Sequence, residues 1–126
     1  MSAAISLFPQ VTIVNQASAT YNSSGNSANL DVTGFHYILG GFTTGNISGG
    51  AGSVTMSLET LSPDGNWIGL NTVNITSNGI FVLKVGPGMA SGGGVESIFS
   101  DTIRIHWIFG SGVTSADFSY WLIGQS

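Results

Sequence analysis

The stretch Thr102-Ile103-Arg104-Ile105-His106-Trp107-Ile108-Phe109 decides the fold class. Its odd positions carry Ile, Ile, Trp and Phe, its even ones Thr, Arg, His and Ile. A period of two sends successive side chains to opposite faces of an extended chain, so this reads as a strand with one core face. A helix would place apolar residues at spacings of three and four, and outside turn-rich sequence the chain never does so.

The same period recurs in both directions from this stretch. Downstream, Phe118, Tyr120 and Leu122 form one row and Ser119, Trp121 and Ile123 the other, and so bulky a second row predicts cover on both faces. Upstream, Val54, Met56 and Leu58 form a core row, as do Phe81, Leu83 and Val85. Further strands are expected over 11–14, 17–21, 35–42 and 67–75. Between them stand Ser62-Pro63-Asp64-Gly65, Asn78-Gly79, Gly86-Pro87-Gly88 and Gly110-Ser111-Gly112, read as hairpin-type turns. Residues 22–29, 43–52 and 89–94 are rich in Gly, Ser or Asn and read as surface loops. The expected fold is all-β: a single antiparallel β-sandwich or jelly roll of about eight strands, with Gly/Ser/Asn-rich loops and an extended N-terminal arm. Residues 1–15 are expected to be that arm or a first strand, and 16–126 one sandwich domain.

Charge is almost absent. Of 126 residues only two are basic, Lys84 and Arg104, and six acidic, giving 6% charged side chains and a net charge of −4. The usual charged share is near 25%. Two cations cannot make the several phosphate contacts that hold a protein on nucleic acid, nor a polybasic membrane surface, so neither partner is expected. Disorder is excluded by 42% apolar residues and low net charge. No cysteine is present, so there is no disulfide framework, thiolate metal site or cysteine nucleophile. The first nine residues lack a basic segment followed by a long apolar run, so no signal peptide is expected, and no run approaches the length of a membrane span. Sequons at Asn22, Asn46 and Asn74 carry no weight without a secretory route.

Candidate chemistry is thin. His36 and His106, with Asp31 or Asp101, lack the spacing of a zinc site, and each histidine sits between large apolar residues in an expected strand. No Gly-x-Ser-x-Gly elbow, Walker loop or dinucleotide fingerprint occurs. Of the six carboxylates, Asp64 belongs to a turn, and Asp101 and Asp117 flank strands. Glu59 lies mid-strand opposite the Val54 row and is expected to form a structural ion pair with Arg104. Trp67 and Trp121 are expected to be exposed, as platforms for sugar rings or as surfaces against a neighbouring subunit, and Trp107 to be core. No catalytic residue, cofactor or metal is expected.

From Asn26 onward the sequence resembles small structural proteins of tailed bacteriophages. The resemblance rests on Leu30-Asp31-Val32-Thr33-Gly34, on residues 53–59 running into Ser62-Pro63-Asp64-Gly65-Asn66-Trp67, on Thr102-Ile103-Arg104-Ile105-His106-Trp107 and on 116–120. It implies a β-sandwich or jelly-roll virion component with no catalytic residue. The expectation is a late, non-enzymatic capsid decoration (cement) or minor head protein, made in the host cytoplasm and carried on the capsid surface. Scarce charge and positive mean hydropathy suit a surface that assembly covers. Expected partners are the major capsid protein or other virion subunits and further copies of the chain, a trimer being favoured. Ile5, Leu7 and Phe8 would supply an arm that adds a strand to a neighbour. The alternatives are a carbohydrate-binding module of a tail fibre and a tail-tube or baseplate subunit.

Overall fold

The computed structural model describes residues 10–49, 52–88, 94–95 and 98–126. These form two facing sheets with no helix among the described residues. In chain order the strands are β1 (Gln10–Tyr21), β2 (Gly25–Asn26), β3 (Leu30–Asp31), β4 (Tyr37–Ser48), β5 (Val54–Leu61), β6 (Trp67–Ile75), β7 (Gly79–Val85), β8 (Gly94–Val95), β9 (Thr102–Phe109) and β10 (Ser115–Gln125). The first sheet has the order β1-β10-β4-β7-β8 and the second β2-β9-β5-β6, with β3 also paired to β9. Every pairing is antiparallel except the short one between β7 and β8. The all-β sandwich read from the sequence is the fold observed.

The alternating rows become the core. Val54, Met56 and Leu58 of β5 and Ile103, Ile105 and Trp107 of β9 face Ile38 and Phe42 of β4, Leu83 and Val85 of β7 and Phe118, Tyr120 and Leu122 of β10. At one end an aromatic cluster spans the two sheets. The Tyr21 ring stacks on Phe118 at 4.0 Å and meets Trp107 edge-on at 4.9 Å, while Trp107 Nε1 donates to the Ser23 carbonyl. Such pairs add to the burial of large apolar area. The buried Thr60 hydroxyl is matched by Ser100 at 2.9 Å and by the Thr102 carbonyl at 3.1 Å, so the core edge carries no unmet polar group there.

Several expectations need correction. Residues 43–48 are strand, not loop: β4 runs on to Ser48 because β10 supplies partners as far as Ser115. The two expected strands at 11–14 and 17–21 are one, β1, with a register shift between Gln16 and Ala19 that breaks the period of two. Of the four turns, only Ser62-Pro63-Asp64-Gly65 closes a hairpin, with Gly65 at φ 87° and its N–H bonded to the Ser62 carbonyl. Asn78-Gly79 and the turn at 110–112 carry the chain from one sheet to the other, and Gly86-Pro87-Gly88 leaves β7 towards its parallel partner. Asp117 flanks no strand end but lies within β10. The expected arm at 1–15 falls outside the described residues up to position 9, and from Gln10 the chain is β1.

Candidate functional site

The two outward faces of the sandwich differ in chemistry, and strand register shows how. On the second sheet, side chains of β5 meet those of β6 and β9 in rows: Thr55 beside Asn74 and Ile108, Ser57 beside Thr72 and His106, Glu59 beside Gly69 and Arg104. Polar groups in these rows satisfy one another. Thr55 Oγ1 donates to Asn74 Oδ1 at 3.1 Å, the Ser57 and Thr72 hydroxyls are 2.9 Å apart, and His106 Nδ1 meets Asn26 Oδ1. Arg104 Nε donates to Glu59 Oε1 at 2.8 Å, and the guanidinium lies 4.2 Å from the Trp67 ring centroid. The ion pair expected from the sequence is thus present, and Trp67 joins it by a cation–π contact that the sequence reading did not find. Spacing alone could not reveal it, because Trp67 on β6 reaches Arg104 on β9 across the intervening β5.

The outward face of the first sheet sets large apolar side chains among small polar ones, with few charges. Its rows run from β1 through β10 and β4 to β7: Asn15, Trp121, Gly41 and Val82 in one; Thr12, Ile123, Leu39 and Lys84 in a second; Ser119, Thr43 and Ile80 in a third. Ile80 is 77% exposed and Val82 39%. The Trp121 indole lies over Gly41, where an added Cβ would come within 2.3 Å of it, so a glycine is what gives the ring room there. Beside it is a hollow of about 240 Å³ lined by Gln10, Tyr37, Leu39, Lys84, Ile123 and Gln125. Lys84 is the one cation of this face, and Asp117, bonded by Thr20 Oγ1 at 2.6 Å, stands at its far end. The outer row of β10, for which cover was expected, is half-buried by its own neighbours among the described residues.

Trp67 and Trp121 stand on opposite faces of the sandwich and do not form one platform. Each is half-buried rather than exposed. Ile5, Leu7 and Phe8 lie outside the described residues. His36 is exposed just before β4 of the first sheet, with its backbone N–H on the Gln125 carbonyl, whereas His106 lies in β9 of the second sheet and meets Asn26. Among the described residues, no three His, Asp or Glu side chains gather as metal ligands. Outside both faces, Asp31 accepts from the N–H and hydroxyl of Thr33 at 3.0 and 2.6 Å, and these two bonds hold its carboxyl below the ordinary range. Asp64 is held low in the same way by the Ser62 hydroxyl. Both are turn locks.

No family model matches the chain, and no curated protein sequence matches it. Solved structures do. The crystal structure of the SPBc2 prophage-derived protein YomS aligns with a TM-score of 0.58 at 12% identity, covering 99% of this chain and 100% of that one. A subunit of the disulfide-linked pili that form Bacillus endospore appendages aligns with a TM-score of 0.51 at 9% identity, covering 98% and 95%. At such identities the likeness is one of fold: the whole chain is a sandwich similar to theirs.

Proposed function

We propose that this chain is a non-enzymatic structural subunit of a phage particle, a decoration or minor head protein that sits on the capsid surface and cements neighbouring capsid subunits. The observation that carries the reading is the outward face of the first sheet, where Ile80, Val82, Leu39, Trp121 and Ile123 stand among small polar residues with charge only at Lys84 and Asp117, on a molecule with 6% charged residues. A free monomer of this size normally keeps charge on its surface, and large apolar side chains exposed together are the mark of an interface. The two structural neighbours accord with this reading: one is prophage-derived, the other belongs to the disulfide-linked pili of Bacillus endospore appendages. Many copies, each with modest neutral contacts, sum to firm attachment through multivalency. Residues 1–9, with Ile5, Leu7 and Phe8, lead directly into β1, the edge of the first sheet, and we assign them the role of an arm that adds a strand to a neighbouring subunit.

The test is addition of the purified chain to emptied heads of the phage or prophage that encodes it, read by cryo-EM. Regular density over the capsid lattice is expected, with reduced occupancy when residues 1–9 are deleted. Bare heads, or density confined to the tail tube or baseplate, would overturn the assignment.

A further inference from the structure

We infer that the outward face of the first sheet takes a second copy of this chain, face to face about a two-fold axis. The inference rests on the reading of that face as an interface and names its occupant.

An isologous contact requires one surface to be complementary to itself, so any projection and the hollow that receives it must lie on the same face. This face has both. Ile80 projects at one end of β7, and the hollow bounded by Tyr37, Leu39, Ile123 and Lys84 opens towards the other end of the same strands. Between them the Trp121 indole covers Gly41. Charge permits the contact. The molecule carries −4, yet Glu59 faces outward from the second sheet, Asp31 lies in β3 of that sheet, Asp64 is in the β5–β6 turn and Asp101 precedes β9. Only Asp117 among the described carboxylates stands on this face, at its end, with Lys84 towards the opposite end. Two copies thus meet without like charges opposed at the centre.

Area is sufficient. Four strands about 4.8 Å apart, followed for the roughly nine residues of β4 from Tyr37 to Gly45 at about 3.4 Å each, present roughly 600 Å² in projection. A pair therefore covers roughly 1,200 Å², above the approximately 1,000 Å² expected of a specific interface. Sheets packed this way align their strands within about 30° at a spacing of about 10 Å, which small and flat residues such as Gly41, Thr43 and Ser119 allow. A face that meets its own copy closes with two subunits, so the inferred unit is a dimer and not the trimer favoured by the sequence.

Sedimentation equilibrium of the full chain over a wide concentration range tests this. A monomer–dimer equilibrium is expected, with the dissociation constant raised at least tenfold by Ile80→Asp and by Val82→Asp. Both side chains are exposed, so circular dichroism and the melting curve of the dilute monomer should stay as in the parent. Because the chain has no cysteine, Val82→Cys introduces a single thiol in the central row with Gly41 and Trp121, and oxidation should trap a disulfide-linked pair. A chain that stays monomeric, forms trimers, or dimerises equally well with Asp at positions 80 and 82 would overturn the inference. A monomer that still decorates heads leaves the proposed function standing and this inference fallen, while a dimer that ignores heads does the reverse.

Discussion

Arg104 is held from two directions, by the Glu59 carboxylate at 2.8 Å and by the Trp67 ring. Both charged side chains are less than one-fifth exposed, at 18% and 17%, so the pair is screened less than an open surface bridge. Removing the cation leaves a half-buried carboxylate without its partner. Arg104→Ala should cost about 1–2 kcal/mol in urea denaturation, and Arg104→Lys less, because an ammonium keeps the charge and loses the planar stack. A double-mutant cycle with Trp67→Ala should return a coupling of about 0.5–1 kcal/mol; additivity would show that the stack contributes nothing. Tyr120 offers a second test at this scale. Burial, reinforced by the neighbouring Tyr21 phenol, pushes its hydroxyl above the ordinary value of 10.0. The folded state therefore prefers the neutral phenol. Its contribution to stability is whole below that ordinary value and is lost as pH rises through the higher folded one. Tyr120→Phe should flatten the alkaline limb of the stability curve, and a limb unchanged by the substitution would place its cause elsewhere.

Among the elements, β4 and β10 make the outward face of the first sheet by a trade between one large and one absent side chain. Gly41→Ala should force the Trp121 indole off the sheet and destabilise the fold by about 1–3 kcal/mol, the range for overpacking, with a red-shifted tryptophan emission. In a Trp121→Ala background the same substitution should become neutral or stabilising, since alanine costs a strand less than glycine. Equal effects in both backgrounds would mean that the indole does not rest on Gly41. This pairing illustrates what the sequence could and could not disclose. The period of two in β5, β9 and β10 was legible, and with it the core rows and the sandwich, because register with one buried face depends only on local alternation. The Glu59–Arg104 pair was legible as two mid-strand charges of opposite sign. Partners across the sheet were not: Trp121 over Gly41, and Trp67 over Arg104, join strands distant in the chain. Nor was β4 beyond Phe42 readable, since Thr43-Thr44-Gly45-Asn46 has the composition of a loop, and β4 is carried through it by pairing with β7 as far as Thr44 and with β10 as far as Ser48. Bulges had the opposite effect in β1, where they hid one strand as two.

For the molecule as a whole, scarcity of charge makes a statement about forces that experiment can separate. Attachment driven by opposed charges weakens as salt shortens the screening length, from about 30 Å at 0.01 M to about 3 Å at 1 M. With only eight charged side chains in 126 residues, and Arg104 and Glu59 engaged with each other, little of the proposed attachment is expected from that source. Burial of apolar area is instead preserved or strengthened by excluded salts such as sulfate. Occupancy of heads should therefore stay level between low and high sodium chloride and rise in ammonium sulfate. The dimer should follow the same course, because its face carries Lys84 and Asp117 only towards its ends. The two contacts can nevertheless be told apart in one titration series. Ile80→Asp should weaken the salt-indifferent dimer at least tenfold while leaving any binding through residues 1–9 intact. Attachment that collapses on going from low to high sodium chloride would show that a charged surface of the capsid, read by the few ionised groups of this chain, does the holding, and the neutral-cement reading would then fail.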